Sequence, residues 1–289
     1  MKWNPDRGTI VLVWVVAALI APGIFGRRAG GQDQDRPKVE GTVKAGRLED
    51  RLFERWKREA SEYRVVVRTI PEMPTALRTE PVLSWTNPER GTYDGLVFVW
   101  VAGGRPAAAT CFYRVLREGR YFEAHEFHSL SDTPLIGSLG GRTLWSPPGP
   151  GVAAKPVLEA PRPAATAAER LRQMRALARE FRASVDPEKG GKELRLLPKP
   201  VFRYESETDG ALFAFVQGTD PEALMTIDVR PGDGGPAWHY AFGRMSNHSL
   251  TAKHRDRVVW EVPFEPDDHN PTHSYLVRWD VGPRDAPAP

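Results

Sequence analysis

The chain has 289 residues, which is enough for two domains that each bury a core. Its formal net charge of +3 is carried by residues 1–31, so the rest of the chain is neutral and lacks the basic surface that nucleic-acid binding requires. The single cysteine, Cys111, excludes an internal disulfide, and its place in an apolar run indicates a buried small side chain.

The N-terminal segment has the layout of an export signal. Lys2 precedes an apolar run at 10–25, and the small residues Ala29 and Gly31 follow it. This order predicts a secretory signal peptide over 1–31 that is cleaved after Gly31. The alternative is an uncleaved membrane anchor, although the run is shorter than the about 20 residues of a full span. On either interpretation the protein is exported, and it is periplasmic or anchored in the membrane and facing the periplasm or the exterior.

Two parts of the sequence repeat each other. The run 94–101 (Asp-Gly-Leu-Val-Phe-Val-Trp-Val) recurs at 209–216 (Asp-Gly-Ala-Leu-Phe-Ala-Phe-Val), and at the same offset Arg-Thr-Leu-Trp at 142–145 recurs as Arg-Val-Val-Trp at 257–260. The repeat predicts two tandem modules from one ancestor. The expected divisions are a signal peptide or membrane anchor at 1–31, a flexible lead-in at 32–47, module 1 at 48–148, a proline-rich linker at 149–165, module 2 at 166–264, and a tail at 265–289.

Each module opens with a helical pattern. An apolar stripe marks each predicted helix, namely Phe53, Trp56, Ala60, Tyr63 and Val67 in module 1 and Leu171, Met174, Ala178, Phe181 and Val185 in module 2. Thr166 and Glu169 form a capping box for the second helix, and Asp50 is the best cap for the first.

Beyond each helix the pattern becomes strand-like. β-Branched and aromatic runs separated by Gly, Pro and Asp clusters predict hairpins and therefore antiparallel sheets. Strands are predicted near 64–70, 82–86, 95–102, 108–116, 120–129 and 142–146, and near 201–205, 210–217, 223–230, 237–245 and 257–262. In the tail, alternation over 275–281 predicts an additional edge strand, with disorder from residue 282. The expected fold class is α+β, with two duplicated modules that each pack one helix on an antiparallel meander sheet.

The densest polar cluster is Glu123, His125, Glu126 and His128. Two histidines and two carboxylates suggest a metal site, but a zinc-protease helix carries its histidines at i and i+4, and here the spacing is i, i+3. The segment also has the pattern of a strand, on which Glu123 and His125 share one face and Glu126 and His128 the other. We therefore predict no catalytic, cofactor-binding or metal-binding residue, and keep these four residues as the alternative metal site.

The repeat also contains polar and aromatic positions that both copies share. We interpret Asp-Gly at 94–95 and at 209–210 as a strand-entry turn in which glycine accepts a positive φ. We interpret Trp145 and Trp260, which end the second repeated run, as core residues.

The run 212–222 (Leu-Phe-Ala-Phe-Val-Gln-Gly-Thr-Asp-Pro-Glu), with Leu-Arg-Leu-Leu-Pro at 194–198 upstream, resembles an uncharacterised family of exported bacterial proteins. The resemblance covers both modules. It implies a folded, exported, two-module protein and no assigned activity.

The functional hypothesis is a non-enzymatic exported binding or scaffold protein of the cell envelope. Its expected partner is another envelope protein or a ligand, with no nucleic acid, no cofactor and an N-terminal membrane anchor as one alternative. The second hypothesis is a metal-dependent hydrolase centred on Glu123, His125, Glu126 and His128.

Overall fold

A computed structural model describes residues 40–69, 71–205, 209–232 and 234–279. Within these residues two α-helices pack on sheets whose strand pairs are antiparallel, so the fold is α+β, as the sequence predicts. No helix of this part of the chain is long and apolar enough to cross a membrane. The predicted signal or anchor at 1–31 and the tail beyond 279 lie outside the described residues. By its contacts the chain divides at Gly41, and the description below concerns the unit that follows.

Module 1 contains one helix and two sheets. Its elements are α1 (Glu40–Glu62), β1 (Tyr63–Val67), β2 (Met73–Pro74), β3 (Ala76–Leu77), β4 (Leu83–Asn87), β5 (Thr92–Ala102), β6 (Arg105–Arg117), β7 (Arg120–Ser129), β8 (Leu135–Leu139) and β9 (Arg142–Trp145). One sheet has the order β2-β1-β8-β9. In the other, β3, β5, β6 and β7 follow one another, and β4 pairs with β5 beside β3.

Module 2 also contains one helix, and its strands form one continuous sheet. Its elements are α2 (Ala167–Ala178), β11 (Phe181–Val185), β12 (Lys192–Leu196), β13 (Phe202–Glu205), β14 (Asp209–Gln217), β15 (Asp220–Gly232), β16 (Gly235–Arg244), β17 (Leu250–His254) and β18 (Arg257–Val262). The order is β16-β15-β14-β12-β11-β17-β18, with β13 on β14. The linker supplies β10 (Lys155–Pro156), which pairs with β16, and the tail supplies β19 (Tyr275–Trp279), which pairs with β7.

Both modules use the same order of strand pairing. β12 pairs with β11 through its first residues and with β14 through its last residues. In module 1 two short strands take its place: β2 pairs with β1, and β3, which follows after Thr75, pairs with β5. Some register irregularities also correspond, whereas those at Thr92–Asp94 and Trp85–Asn87 of module 1 have no counterpart in the described residues of module 2. Pairing shifts between Trp100 and Val101 in module 1 and between Phe215 and Val216 in module 2, at the offset of the sequence repeat.

The two large sheets face each other across a shared core. Val99 and Cys111 of module 1 belong to the same buried cluster as Leu212 and Ala214 of module 2. Cys111 is buried, as predicted. Since sheet faces that lose contact with water gain free energy in proportion to their apolar area, this shared core holds the modules together.

The helices cover the outer faces of these sheets. On the module 1 side, Trp56 of α1 packs in a cluster with Phe98 and Leu135. On the module 2 side, Met174 of α2 packs in a cluster with Phe213. The protein is therefore built in layers, with the apolar stripe of each helix directed at the sheet of its own module.

Both helices end earlier than their apolar stripes predict. Tyr63 and Val67 lie on β1, and Phe181 and Val185 lie on β11. The prediction was wrong because positions i and i+4 share a face on a strand as well as on a helix. The alternation that identifies the strand is therefore hidden in the helical pattern.

The helix N-termini show one prediction that is confirmed and one that is wrong. The Thr166 hydroxyl accepts a hydrogen bond from the Glu169 amide at 3.3 Å, as the capping box predicts. The Glu169 carboxylate accepts its hydrogen bond from the Thr166 hydroxyl, at 2.8 Å, where the capping box predicts a backbone amide as the donor. α1 instead begins at Glu40, so residues 40–47 of the expected flexible lead-in are helical and Asp50 lies inside the helix. Asp50 has no glutamate three residues later with which to form such a box.

The proline-rich linker is packed against module 2 along part of its length. Val152 and Val157 are buried, and the Val157 amide donates to the Trp238 carbonyl at 2.8 Å. Proline is tolerated at a sheet edge because its missing amide can face away from the partner strand. The linker therefore serves as an edge segment as well as a connection.

The predicted Asp-Gly turn is wrong. Residues 94–95 lie inside β5 and residues 209–210 lie inside β14, and neither glycine has a positive φ. Each aspartate instead forms an ion pair, Asp94 with Arg114 and Asp209 with Arg203. The repeated pair thus has a role within the sheet, which explains why turn chemistry failed to describe it.

Candidate functional site

The four polar residues of the predicted cluster lie on opposite faces of β7, as the strand pattern predicts. Glu123 and His125 contact residues of α1, whereas Glu126 and His128 face the core between the two large sheets. The sequence cluster therefore becomes two separate sites in space.

On the α1 side, the His125 ring stacks on Phe112 with 3.5 Å between ring centroids. Its Nδ1 lies 2.8 Å from the Tyr63 hydroxyl oxygen, and its Nε2 lies 3.6 Å from a carboxylate oxygen of Glu59. Burial lowers the pKa of His125, although the nearby Glu59 carboxylate opposes this effect. His125 is therefore neutral at pH 7 and packs as an aromatic ring.

Arg55 joins this site to the helix. Its guanidinium donates to the carboxylate of Glu123 on β7 and, at 2.8 Å, to that of Glu59 on α1. Burial opposes ionisation of Glu59, but the nearby His125 ring and the hydrogen bond from Arg55 outweigh this effect and lower the pKa of that carboxyl. The arrangement fixes α1 on the sheet, which is a structural role.

On the opposite face, Glu126 accepts hydrogen bonds from the hydroxyls of Tyr113 at 2.8 Å and Tyr275 at 3.0 Å. Complete burial raises the pKa of Glu126 to about 8. Burial also lowers the pKa of His128 to about 3, and its Nδ1 donates to the Arg244 carbonyl at 3.1 Å. Both groups are neutral at pH 7, which is what an apolar core favours.

The structure does not bring Glu123, His125, Glu126 and His128 together at one point. Among the described residues, no three His, Cys, Asp or Glu side chains are close enough to hold a metal ion together. The two polar sites also do not line the surface cavities described next. The strongest candidate for a functional site lies elsewhere, at the edges of the sheets.

In module 1, the tail of the chain lies between the edge strands β9 and β7. We call this boundary between two edge strands the seam of the module. The indole nitrogen of Trp145 donates to the His273 carbonyl at 2.8 Å, and the Ser146 amide donates to the Pro271 carbonyl at 2.7 Å. Leu276 of β19 lies in the same core cluster as Trp145, and both side chains are buried. Trp145 has no exposed surface.

In module 2, the linker occupies the corresponding place. Lys155 pairs with Tyr240 on β16, and continuing this register places Ala153 opposite Phe242. In module 1, Leu276 pairs with Phe127, whose position matches that of Phe242 in the repeat. A leucine in one seam is therefore replaced by an alanine in the other.

This replacement leaves a cavity of about 210 Å³ in the seam of module 2. Ala153, Phe242, Val259 and Trp260 are among the residues that line this cavity, which we call the seam pocket. The rings of Phe242 and Trp260 stack with centroids 5.3 Å apart. An alanine lacks the three carbons by which leucine exceeds it, so the pocket has room for an apolar side chain.

A larger groove of about 700 Å³ adjoins the seam pocket, with which it shares Lys155, Tyr240 and Val259. Leu158 and Val258 border the groove and are 52% and 45% exposed. Exposed apolar side chains that border a groove are typical of interaction surfaces.

The edge of β18 provides unpaired backbone groups beside the pocket. In the described part of the chain β18 pairs with β17 alone, and it is the last strand of its sheet. The Lys155 ammonium donates to the Val259 carbonyl at 2.8 Å and covers one position of this edge. A strand edge next to an apolar pocket can bind an extended polypeptide through backbone hydrogen bonds and one inserted side chain.

We compared the chain with protein-family models, with curated proteins and with solved structures, and found no match to any of them. The resemblance to a family of exported bacterial proteins therefore remains a prediction.

Sequence reasoning located only one residue of the seam pocket. Trp260 was predicted to be a core residue and is partly buried, whereas Trp145 is fully buried, as predicted. Ala153 lies in a linker that was interpreted as a spacer. The useful signal, a leucine matched by an alanine, becomes visible only when the strand registers of β19 and β10 are known.

Proposed function

We propose that this chain is a non-enzymatic, exported binding protein of the cell envelope that holds an extended segment of a partner protein in the seam of module 2. We also propose that its two modules arose by tandem duplication. The equal strand order, and register shifts at corresponding positions of the two sheets, support the duplication. Corresponding positions of module 1 and module 2 can then be compared directly.

The observation that carries the proposal is the difference between the two seams. Leu276 fills the space beside Trp145, whereas Ala153 leaves a cavity beside Trp260. An apolar cavity that opens to solvent loses the contacts that a side chain would make there, so filling it from outside is favourable. The occupant with the right chemistry is therefore a leucine-sized side chain.

The charges around the groove indicate what surrounds that side chain. Lys155, Arg255 and Arg257 line the groove against Glu159 and Asp256, so the lining carries one net positive charge. Arg255 forms ion pairs with Glu159 and with Glu180, which does not line the groove. We infer that the partner segment carries an acidic residue near its leucine, because complementary charge favours encounter and register.

The test uses a designed peptide of serine and threonine with a central leucine and one neighbouring glutamate. The protein is labelled with fluorotryptophan, and the signal of Trp260 is assigned with Trp260→Phe. Fluorine NMR should show a saturable shift of the Trp260 signal as peptide is added, and no shift of the Trp145 signal. The same peptide with alanine in place of leucine should shift the Trp260 signal at least tenfold less at equal concentration.

A matched pair of variants locates the binding. Ala153→Leu fills the seam pocket as Leu276 fills the seam of module 1, and should abolish the shift. Ala168→Leu makes the same change at an exposed position of α2 and should leave it intact. Absence of a saturable shift in the wild-type protein, or equal shifts in the two variants, would overturn the proposed site.

Export is tested separately. Deletion of residues 2–31 should retain a folded protein in the cytoplasm, while the full chain is recovered from the envelope or the medium. Recovery of the full, uncleaved chain from the cytoplasm, free of membrane, would contradict the export prediction.

A further inference from the structure

A second cavity of about 560 Å³ lies on the other side of module 2 and shares no lining residue with the seam. It is formed by the end of α2 together with β11, β12 and β14. Its volume is in the range of pockets that hold small molecules.

Arginine dominates the charge of this cavity. Arg175, Arg179, Arg182 and Arg195 line it, against the single carboxylate of Glu193. Within the described part of the chain, no salt bridge involves any of these five side chains, and each arginine therefore contributes its full positive charge to the cavity.

One of the arginines has a buried donor that the protein leaves unused. The Nε atom of Arg175 is inaccessible to solvent and has no hydrogen-bond partner among the described residues. A buried N–H without a partner lowers stability, so such a group is satisfied in most proteins by protein, water or ligand.

The floor of the cavity is apolar. Phe213 and Phe215 of β14 and Leu194 of β12 are buried core residues that also line it. A ligand that contacts both the arginines and this floor needs an anionic group and an apolar body.

In module 1, the cation at the position that corresponds to Arg175 is neutralised by carboxylates of the protein itself. Lys57 follows Trp56 in the stripe of α1 as Arg175 follows Met174 in that of α2. Lys57 forms ion pairs with Glu54 and Glu80, each at 3.0 Å. Among the described residues of module 2, no carboxylate forms such an ion pair with Arg175, so its charge is available to a ligand.

We propose that this cavity binds a small amphipathic anion, meaning a carboxylate or a phosphate monoester attached to an apolar chain. The arginines bind the anionic group, since a planar guanidinium donates two parallel hydrogen bonds to such oxygens. The aromatic and leucine floor accepts the chain. A free fatty acid and the head of a lipid share this chemistry.

Calorimetric titration of the purified protein with dodecanoate, below its micelle concentration, tests the proposal. We expect one saturable site whose affinity falls as salt is added, because the arginines are partly exposed and screened. Inorganic phosphate and dodecanol, which each lack half of the chemistry, should bind at least tenfold more weakly. Vesicles that contain anionic lipid, added in place of dodecanoate, distinguish a membrane source from a free anion.

The double variant Arg175→Gln with Arg179→Gln should weaken dodecanoate binding at least tenfold without lowering the unfolding temperature. Arg172→Gln is the matched control, because Arg172 is an exposed arginine of the same helix that does not line the cavity. Equal binding by the double variant and the control, equal affinity for phosphate and dodecanoate, or no saturable binding would each overturn the proposal. None of these results would affect the seam pocket.

Discussion

The indole ring of Trp85 occupies the space that a β-carbon on Gly95 would need. The two residues are paired directly across β4 and β5, and an ideal β-carbon at Gly95 would lie 2.3 Å from Cε2 of Trp85. Module 2 repeats this relationship, because Tyr204 is paired with Gly210 and lies equally close to the missing β-carbon. The glycine of each repeated Asp-Gly pair is thus required by an aromatic ring rather than by a turn.

Gly95→Ala should therefore destabilise the protein. The added methyl group would displace an indole ring whose nitrogen is held 3.1 Å from the sulfur of Cys111, and overpacking of this kind costs about 1–3 kcal/mol or more. Urea unfolding measures the loss. Gly149→Ala is the control, since a β-carbon there meets no atom within 4 Å, and its stability should stay within about 0.5 kcal/mol of the wild type. Equal effects of the two substitutions would contradict the explanation.

The two repeated tryptophans should differ in their contribution to stability. Trp145→Ala should lower the free energy of unfolding by about 3–5 kcal/mol, because the ring is fully buried and its nitrogen is hydrogen-bonded. Trp260→Ala should cost less, about 1–2 kcal/mol, because this ring lines an open cavity and is only partly buried. Chemical unfolding of both variants checks the order, and a larger loss for Trp260 would show that the module 2 seam is closed in solution.

Glu126 should make stability fall as pH rises through neutrality. Burial raises the pKa of Glu126 to about 8. At a pH between the ordinary pKa of a glutamate carboxyl and this raised value, the unfolded chain has released the proton, whereas the folded chain keeps it. The free energy of unfolding should therefore fall by up to about 1.4 kcal/mol for each pH unit in this range. His128, with a pKa lowered to about 3, has the opposite effect below its ordinary value of 6.5, so the Glu126 effect is clearest between pH about 6.5 and 8.

Glu126→Gln tests this pH dependence. The amide resembles the protonated carboxyl and cannot ionise, so unfolding free energy measured across this pH range should fall less steeply than in the wild type. Glu261→Gln, at an exposed strand position, should retain the wild-type slope. Identical slopes for all three proteins would mean that Glu126 is ionised in the folded state.

The purified protein should contain no stoichiometric transition metal. Glu123 and His125 lie on one face of β7 and Glu126 and His128 on the other, so a single ion cannot reach all four. Elemental analysis of the wild type and of His125→Gln and His128→Gln checks this. One zinc ion per chain, lost from both variants while they remain folded, would restore the hydrolase alternative.

Sequence reasoning predicted features that depend on residues close together in the chain. The capping box at Thr166 and Glu169 depends on a spacing of three residues, and the split of the β7 cluster depends on alternation alone. It failed at the short strands β2, β3 and β10 and at β8, β11, β12 and β17. β11 continues the apolar stripe of α2. β8 contains Gly137, a residue type that is typical of turns, but here an ideal β-carbon at this glycine would lie 3.2 Å from the Trp145 ring.

Hydrophobic periodicity is a property of neighbouring residues, so the sequence alone was sufficient to predict the α+β fold class. Only the tertiary structure decided which surfaces remain open. Leu276 and Ala153 are far apart in the chain and belong to segments of unlike composition, yet they take matching places along β7 and β16. Likewise the four arginines around the basic cavity come from one helix and two strands. Such sites depend on contacts between distant segments, and those contacts are set by the packing of the sheets rather than by local pattern.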